Sequence, residues 1–225
     1  MKAAYHSGKL NRPMRLSLLF IPLILILSCE PDARNTTQIS GFDYLRDFEP
    51  ITETGFVNIV IEIPAGSNQK WEVEKESGYL EWEIREDSLR VVNYLPYPAN
   101  YGMIPRTWLP ADKGGDDDPL DIFLIGPKQE RGAVVQGRIV GVIKMLDGGE
   151  QDDKLIAVDP DSWFWNVHTL DDLNIQFPGI SEILSIWLRS YKGGTIVTIQ
   201  GIEDEIEAEK ILHRAIESFP PVTSN

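Results

Sequence analysis

The stretch that decides the fold is Asp116-Asp117-Asp118-Pro119-Leu120-Asp121, which leads directly into the apolar run Ile122-Phe123-Leu124-Ile125. A solvated turn accommodates several carboxylates, but Asp121 stands at the mouth of a strand that should be buried. Burial of an unpaired carboxylate is costly, so converging carboxylates need a positive partner. A hard divalent cation is the partner that such a cluster binds most readily. The alternative interpretation is a solvated acidic turn without a ligand.

A second acidic turn, residues 147–153, lies between the apolar segments 140–145 and 155–158. Two acidic turns at strand ends can meet at one rim of a small barrel. The chain has three histidines, far apart in sequence, and one cysteine, which argues against zinc and copper. An EF-hand does not fit, because its sixth position lacks glycine and its twelfth lacks glutamate. The ligand set therefore favours Mg²⁺, with Mn²⁺ as the alternative.

Short apolar runs separated by Gly and Pro predict a mainly-β chain. Two apolar stripes at helical spacing predict helices at 180–191 and 208–219, which end at Gly193-Gly194 and Pro220-Pro221. We expect an α+β fold, a closed barrel with the helices packed outside. The predicted strands are 57–63, 71–75, 80–84, 89–95, 121–125, 134–145, 155–158 and 195–200.

The N-terminal segment predicts export. Residues 1–28 contain four basic side chains and no acid, and residues 16–27 form an apolar core too short to span a bilayer as a helix. The ending Leu27-Ser28-Cys29 resembles a lipoprotein cleavage box, so we predict a signal peptide at 1–28 and a lipid anchor on Cys29. The alternatives are an ordinary signal peptide with an incidental cysteine, an uncleaved anchor, and a start at Met14. Polar residues 29–50 predict a tether, which leaves 51–225 as one domain.

Charge excludes several partners. The chain carries a net charge of −14, and loss of the four basic residues in 1–28 leaves 17 Lys and Arg against 35 Asp and Glu, a net charge of −18. Such a surface repels nucleic acid and anionic lipid headgroups. We expect neither to bind, and the membrane to be contacted through the lipid anchor alone. An anionic substrate must be attracted by local cations and metal rather than by the global field.

The acidic turns belong to an ordered set of motifs that carries a family resemblance. The set comprises Ile61-Glu62-Ile63-Pro64-Ala65, Lys70-Trp71-Glu72, Lys75-Glu76-Ser77-Gly78, Tyr97-Pro98-Ala99-Asn100-Tyr101-Gly102, residues 116–121, residues 140–145 with Asp147, Asp152 and Lys154, and Tyr191-Lys192. Over about residues 57–219 the chain resembles the soluble family I inorganic pyrophosphatases, whose signature is Asp-x-Asp-Pro-apolar-Asp. The resemblance implies a five-stranded OB-like closed barrel with flanking helices. It also implies Mg²⁺-dependent hydrolysis of pyrophosphate to two phosphates, and it leaves a homo-oligomer open.

The resemblance implies three groups of site residues. The metal ligands are Asp116, Asp121, Asp147 and Asp152, with Glu62 and Glu72 binding metal or positioning its water. Asp118 corresponds to the general base. The substrate-binding groups are Lys70, Arg90, Tyr101, Lys154 and Tyr191, followed in rank by Lys192 and Tyr97.

Several of these residues have structural alternatives. Asp147 and Asp152 could cap a turn, and Asp118 could make an Asx-type contact within its Asp-Pro turn. Glu62 could face solvent from its strand. Tyr191 completes the apolar stripe of its helix, although its ring could be buried while its hydroxyl reaches the site.

The arginine is the least certain correspondence. Arg90 matches the family's Arg-containing strand best, and Arg85 is a nearby rival. A gapless alignment places Glu83 where the family has an arginine, and a glutamate could not bind phosphate. The Lys70 segment is also one residue shorter than in the bacterial enzymes.

Two other functions stay open at this point. OB-like barrels often serve as binding modules, so a non-enzymatic, metal-stabilised module that binds anions is the rival. An enzyme that cleaves an organic diphosphate is the third possibility. The sequence favours pyrophosphate hydrolysis, because Asp118 is additional to the ligands and because acids and bases alternate around the same predicted rim.

Overall fold

The computed structural model of the protein describes residues 36–220. These residues form a mainly-β α+β fold, in which three helices accompany twelve strands and one short 3₁₀-helix. None of the helices within 36–220 combines the length and the apolar character that crossing a bilayer requires. The strands are β1 (Gln38–Ile39), β2 (Val57–Ile63), β3 (Trp71–Val73), β4 (Leu80–Trp82), β5 (Ile84–Arg85), β6 (Ser88–Leu89), β7 (Asn100–Met103), β8 (Asp121–Ile125), β9 (Val134–Asp147), β10 (Glu150–Gln151), β11 (Lys154–Val158) and β12 (Val197–Asp204). The helices are α1 (Leu170–Gln176), α2 (Ile180–Ser190) and α3 (Glu205–Ser218).

Strand pairing produces a ring-like sheet. β2 pairs antiparallel with β7, β7 antiparallel with β8, and β8 parallel with β11. β11 pairs antiparallel with β9, and β9 returns to β2 through the antiparallel register Val57↔Gly137 to Val60↔Val134. The length of β9, 14 residues, lets it also pair with β10 and β12. The acidic turns before β8 and after β9 are therefore held by neighbouring parts of one sheet.

Alternation along β8 and β11 divides their buried side chains between two apolar clusters. Phe123 and Ile156 face the cluster that α2 covers with Leu184 and Trp187. Their neighbours Ile122 and Leu155 instead join the cluster that α3 covers with Ile211, Leu212 and Ala215. The two helices thus pack on opposite faces of these strands, each through an apolar stripe.

The segment that precedes the sheet corrects one prediction. Residues 36–50 are not a tether, because Tyr44 and Leu45 are only 2% and 3% exposed and pack with Trp71 and Leu80. β1 also pairs with β4 in a small separate sheet. A few apolar side chains in a polar segment are enough to anchor it, and composition alone overlooked them. The rest of the predicted tether, residues 29–35, lies outside the described residues, as do the predicted signal peptide 1–28 and the predicted lipidation site Cys29.

The predicted strand 89–95 is also wrong. The hairpin of β5 and β6 ends at Leu89, and beyond it Val91 makes an isolated antiparallel bridge to Gln69 before the chain runs irregularly towards Tyr97. The Asn68 side-chain amide donates to the carbonyls of Val92 and Tyr94 at 2.8 and 3.0 Å, which takes these acceptors out of any ladder. Several elements were not predicted, among them β1, β7, β10 and α1. A capping box between Thr169 and Asp172 begins α1.

Gly102 tests the packing of β7 against β2. A Cβ at this position would lie 1.8 Å from the Val60 carbonyl oxygen, a backbone atom that cannot move aside cheaply. We expect Gly102→Ala to lower the free energy of unfolding by about 1–3 kcal/mol or more, as overpacking does. Denaturant titration measures this. Gly41→Ala is the control, because nothing lies within 4 Å of its Cβ, and equal stability of the two variants would contradict the packing.

Candidate active site

Every predicted site residue within 36–220 lines the same cavity, of about 580 Å³. The cavity collects side chains from both acidic turns, from β2, from the β3 region, from β7 and from the end of α2. The carboxylates that line it include Asp116, Asp118, Asp121, Asp147, Asp152, Glu62 and Glu72. The cations and phenols that line it include Lys70, Arg90, Lys154, Lys192, Tyr101 and Tyr191.

The first acidic turn is folded by its own backbone. Asp117 adopts a left-handed conformation, with φ 61°, and its N–H donates to the Leu109 carbonyl at 3.1 Å. Its carboxylate accepts the Ala111 N–H at 3.2 Å, so Asp117 closes the turn. Asp116 and Asp118, on either side, are the residues that line the cavity.

The parallel pairing of β8 and β11 builds the centre of the site. It sets Asp121 directly opposite Lys154, and Asp152 lies two residues before Lys154. Lys154 is 3% exposed, and its ammonium group forms ion pairs with the carboxylates of both Asp121 and Asp152. Burial alone would lower the pKa of Lys154, but these two carboxylates raise it well above its ordinary value. Lys154 therefore keeps its charge.

The second acidic turn is secured from behind. Asp153 is buried and accepts hydrogen bonds from the Met145 N–H and the Gln151 side chain. Its carboxylate also forms an ion pair with Lys144. The Asp152 N–H also donates to the Met145 carbonyl at 3.0 Å. Hydrogen bonds between Met145 and both Asp152 and Asp153 therefore hold the end of the turn that carries Asp152. Sequence reasoning missed Asp153, because its burial follows only from the register.

A β-bulge directs Glu62 inwards. The ladder to β7 runs Ile61↔Gly102 and then Ile63↔Tyr101, which leaves Glu62 unmatched. Glu62 is 3% exposed and accepts the Val73 N–H at 2.8 Å, so the solvent-facing alternative is wrong. Burial raises the pKa of Glu62 to about 8, although nearby Lys70 opposes the shift.

Lys70 and Lys75 supply two further cations. The Lys70 ammonium lies 3.4 Å from a Glu72 oxygen and 5.8 Å from the centre of the Tyr101 ring. Lys75 forms an ion pair with Asp118. Burial raises the pKa of Asp118 even though Lys75 pulls it down. Lys75 was part of a quoted motif, but its partner could not be read from sequence spacing.

The structure separates the two arginines. Arg90 lines the cavity and donates to Glu83 at 2.6 Å. Glu83 stands where a gapless alignment would place the family's arginine, and it pairs with Arg90, the arginine that matches the family's strand best. Arg85 lines a neighbouring cavity instead. Tyr191 combines both of its alternatives, because its ring stacks on Trp187 with centroids 4.6 Å apart while the residue also lines the site.

The donor set fits a hard cation. Within residues 36–220 no three acidic, histidine or cysteine side chains are gathered as a ready-made metal site, because lysines pair with the carboxylates. The lysines do not compensate all of this negative charge. Burial and the nearby Asp152 carboxylate raise the pKa of Asp116 to about 8. All the donors are carboxylate oxygens, the ligand type that Mg²⁺ prefers.

The comparisons with known proteins agree with this geometry. The family model described as inorganic pyrophosphatase matches residues 59–220. The inorganic pyrophosphatase of Gluconobacter oxydans is 36% identical over 168 residues, which cover 71% of this chain and 89% of that protein. The Bos taurus inorganic pyrophosphatase is 34% identical over 154 residues, which cover 60% of this chain and 52% of that protein. The chain thus spans about half the length of the animal relatives it matches.

A solved structure is similar as well. The type I inorganic pyrophosphatase from P falciparum matches with a TM-score of 0.73 at 25% identity, over 78% of this chain and 62% of that one. The family model covers well over half of the chain, including both acidic turns, the bulged Glu62 and the Tyr191-Lys192 end of α2. The chain therefore belongs to the inorganic pyrophosphatase family.

Proposed function

We propose that the protein is a Mg²⁺-dependent enzyme that hydrolyses pyrophosphate to two phosphates. The observation that carries the proposal is the convergence of both acidic turns and of several Lys and Arg side chains on one cavity. A merely structural cluster of this charge would be costly, whereas a site for metal ions and an anionic substrate needs both signs of charge. We also infer that the ring of five strands is the OB-like barrel expected from the sequence.

Six carboxylates would hold the Mg²⁺ ions, with Mn²⁺ as the alternative. They are Asp116, Asp121, Asp147, Asp152, Glu62 and Glu72. When bound, Mg²⁺ neutralises substrate charge and makes water a better proton donor. Asp118 is the proposed general base, because it lies in the same cavity and its raised pKa brings it closer to the pH at which a base works best. Lys75 orients it through their ion pair.

The cations and phenols bind the phosphates. Lys154, Lys192 and Arg90 have acidic partners in the structure, Asp121 with Asp152, Asp147 and Glu83 respectively. The ammonium groups of Lys154 and Lys192 can turn towards phosphate oxygens once Asp121, Asp152 and Asp147 bind metal. Arg90 can bind phosphate while it stays paired with Glu83, because a guanidinium has five N–H donors. Lys70, Tyr101 and Tyr191 complete the wall of the same cavity. Together they hold the substrate in line with the attacking water and stabilise the departing phosphate.

We further propose that the protein is an exported lipoprotein, anchored through Cys29, and that its domain forms a homo-oligomer. The basic N-terminal segment, the apolar core and Leu27-Ser28-Cys29 support the anchor. Cys29→Ala should move the protein from the membrane to the soluble fraction after cell lysis. An unchanged distribution would contradict the lipid anchor. Light scattering of the purified protein tests the oligomer.

Asp118→Asn tests the proposed chemistry. We expect wild-type protein to release phosphate from pyrophosphate only when Mg²⁺ is supplied, and the variant to lose about 10²–10⁴-fold in kcat with Mg²⁺ binding retained. Asp117→Asn is the matched control in the same turn, since an Asn amide oxygen can still accept the Ala111 N–H and tolerates positive φ. A fully active Asp118→Asn variant would remove Asp118 from its role. Wild-type protein that ignores pyrophosphate would overturn the proposed function.

Asp116→Asn tests the metal site through stability. The pKa of Asp116 is raised from 3.8 to about 8, so the folded, metal-free protein binds a proton that the unfolded chain releases. Stability in EDTA should therefore fall as pH rises from about 4 to about 8, and the contribution of Asp116 should level off above that. The variant should lose part of this fall, and Mg²⁺ should raise its melting temperature less than that of wild type. Identical pH and Mg²⁺ profiles for the two proteins would contradict the assignment.

A further inference from the structure

A second cavity, of about 510 Å³, adjoins the candidate active site and differs from it in charge. Three cations line it, Arg85, Arg90 and Lys192, and no carboxylate does. Most of the remaining wall is apolar, from valine and isoleucine side chains. All the charged side chains of this concave surface are thus positive, although the chain has a net charge of −14. Like charges that face one space repel each other unless an anion lies between them.

Arg85 differs from the other two cations in its partners. Arg90 is bound by Glu83 and Lys192 by Asp147. Among residues 36–220, the ion pairs of arginine side chains involve Arg46, Arg90 and Arg106, and Arg85 has none. A lone surface arginine is ordinarily just solvated. Here the guanidinium borders a cavity that already holds two other cations, which makes it available to an external anion.

The hairpin that carries Arg85 is held in an uncommon conformation. Its two-residue tip, Glu86 and Asp87, has φ values of 52° and 58°, left-handed at both positions although neither residue is glycine. Such a tip suits the twist of a two-residue hairpin and fixes the pairing of Arg85 with Ser88. The acidic side chains of the tip do not line the cavity. The fold therefore keeps the strained turn and presents the arginine, not its acidic neighbours, to the cavity.

The two cavities adjoin each other, because Arg90, Tyr191 and Lys192 line both. We propose that the second cavity is a separate oxyanion subsite, with Arg85 as its own ligand, and that it takes a tetrahedral phosphate group. A guanidinium provides paired donors that match phosphate oxygens. The choice of phosphate rests on the proposed function, whereas the positive charge of the subsite does not. The group can come from free inorganic phosphate or from the third phosphoryl group of a linear triphosphate.

Binding of inorganic phosphate to the metal-free protein tests the subsite without turnover. Without Mg²⁺ the carboxylates of the first cavity repel phosphate, so the second cavity should dominate a calorimetric titration at low salt. Arg85→Gln should weaken binding about tenfold or more, as the loss of a charge-assisted hydrogen bond does, and Arg85→Lys should weaken it less. Arg214→Gln removes the same charge from the exposed face of α3 and should match wild type. Equal binding by wild type and Arg85→Gln would overturn the subsite.

Steady-state kinetics with Mg²⁺ separates the two sources of phosphate. If the subsite holds the third group of a triphosphate, Arg85→Gln lowers kcat/KM for triphosphate and leaves that for pyrophosphate unchanged. If it holds free phosphate, the variant raises the inhibition constant of phosphate and leaves both substrates unchanged. An Arg85-dependent titration without any pyrophosphate hydrolysis would refute the proposed function and support the subsite. Pyrophosphate hydrolysis without any effect of Arg85→Gln in these assays would support the proposed function and refute the subsite.

Discussion

The ion pairs of Lys154 with Asp121 and Asp152 are the interaction on which the site depends. They exist because β8 and β11 pair in parallel, with Asp121 opposite Lys154 at the end of a buried strand. Neither carboxylate could be held there alone, since burial without a partner is costly. Lys154 in turn keeps its charge because the two carboxylates raise its pKa. The register of two strands thus places opposite charges side by side in the cavity for which we propose metal ions and an anionic substrate.

The rest of the fold arranges charge around this centre. The bulge in β2 turns Glu62 inwards, the turn closed by Asp117 presents Asp116 and Asp118, and Asp153 holds the other acidic turn from behind. In each case backbone hydrogen bonds or a bulge hold the carboxylates in place despite their mutual repulsion. Cations and phenols reach the same space from β7, α2 and the segments around β3 and β6. Beyond Arg90, the adjoining cavity presents positive side chains without carboxylates.

Much of this could be predicted from the sequence, because the decisive residues stand in continuous motifs. The strand that begins at Asp121 and the helix from Ile180 follow directly from apolar patterns. What the patterns could not provide depends on register and on side-chain partners far apart in the chain. Three examples are the bulge at Glu62, the ion pair of Lys75 with Asp118 and the hydrogen bond from the Asn68 amide to the Val92 carbonyl. Local composition likewise hid the burial of Tyr44.

The central claim is that the acidic turns converge to hold divalent cations beside Lys154. Anomalous diffraction from crystals soaked in Mn²⁺ tests it most directly, because it locates the ions without any assumption about turnover. The account predicts strong peaks in the first cavity, each within coordination distance of carboxylate oxygens from Asp116, Asp121, Asp147 or Asp152. A cavity without such peaks at saturating Mn²⁺, or ions bound only elsewhere on the surface, would contradict it.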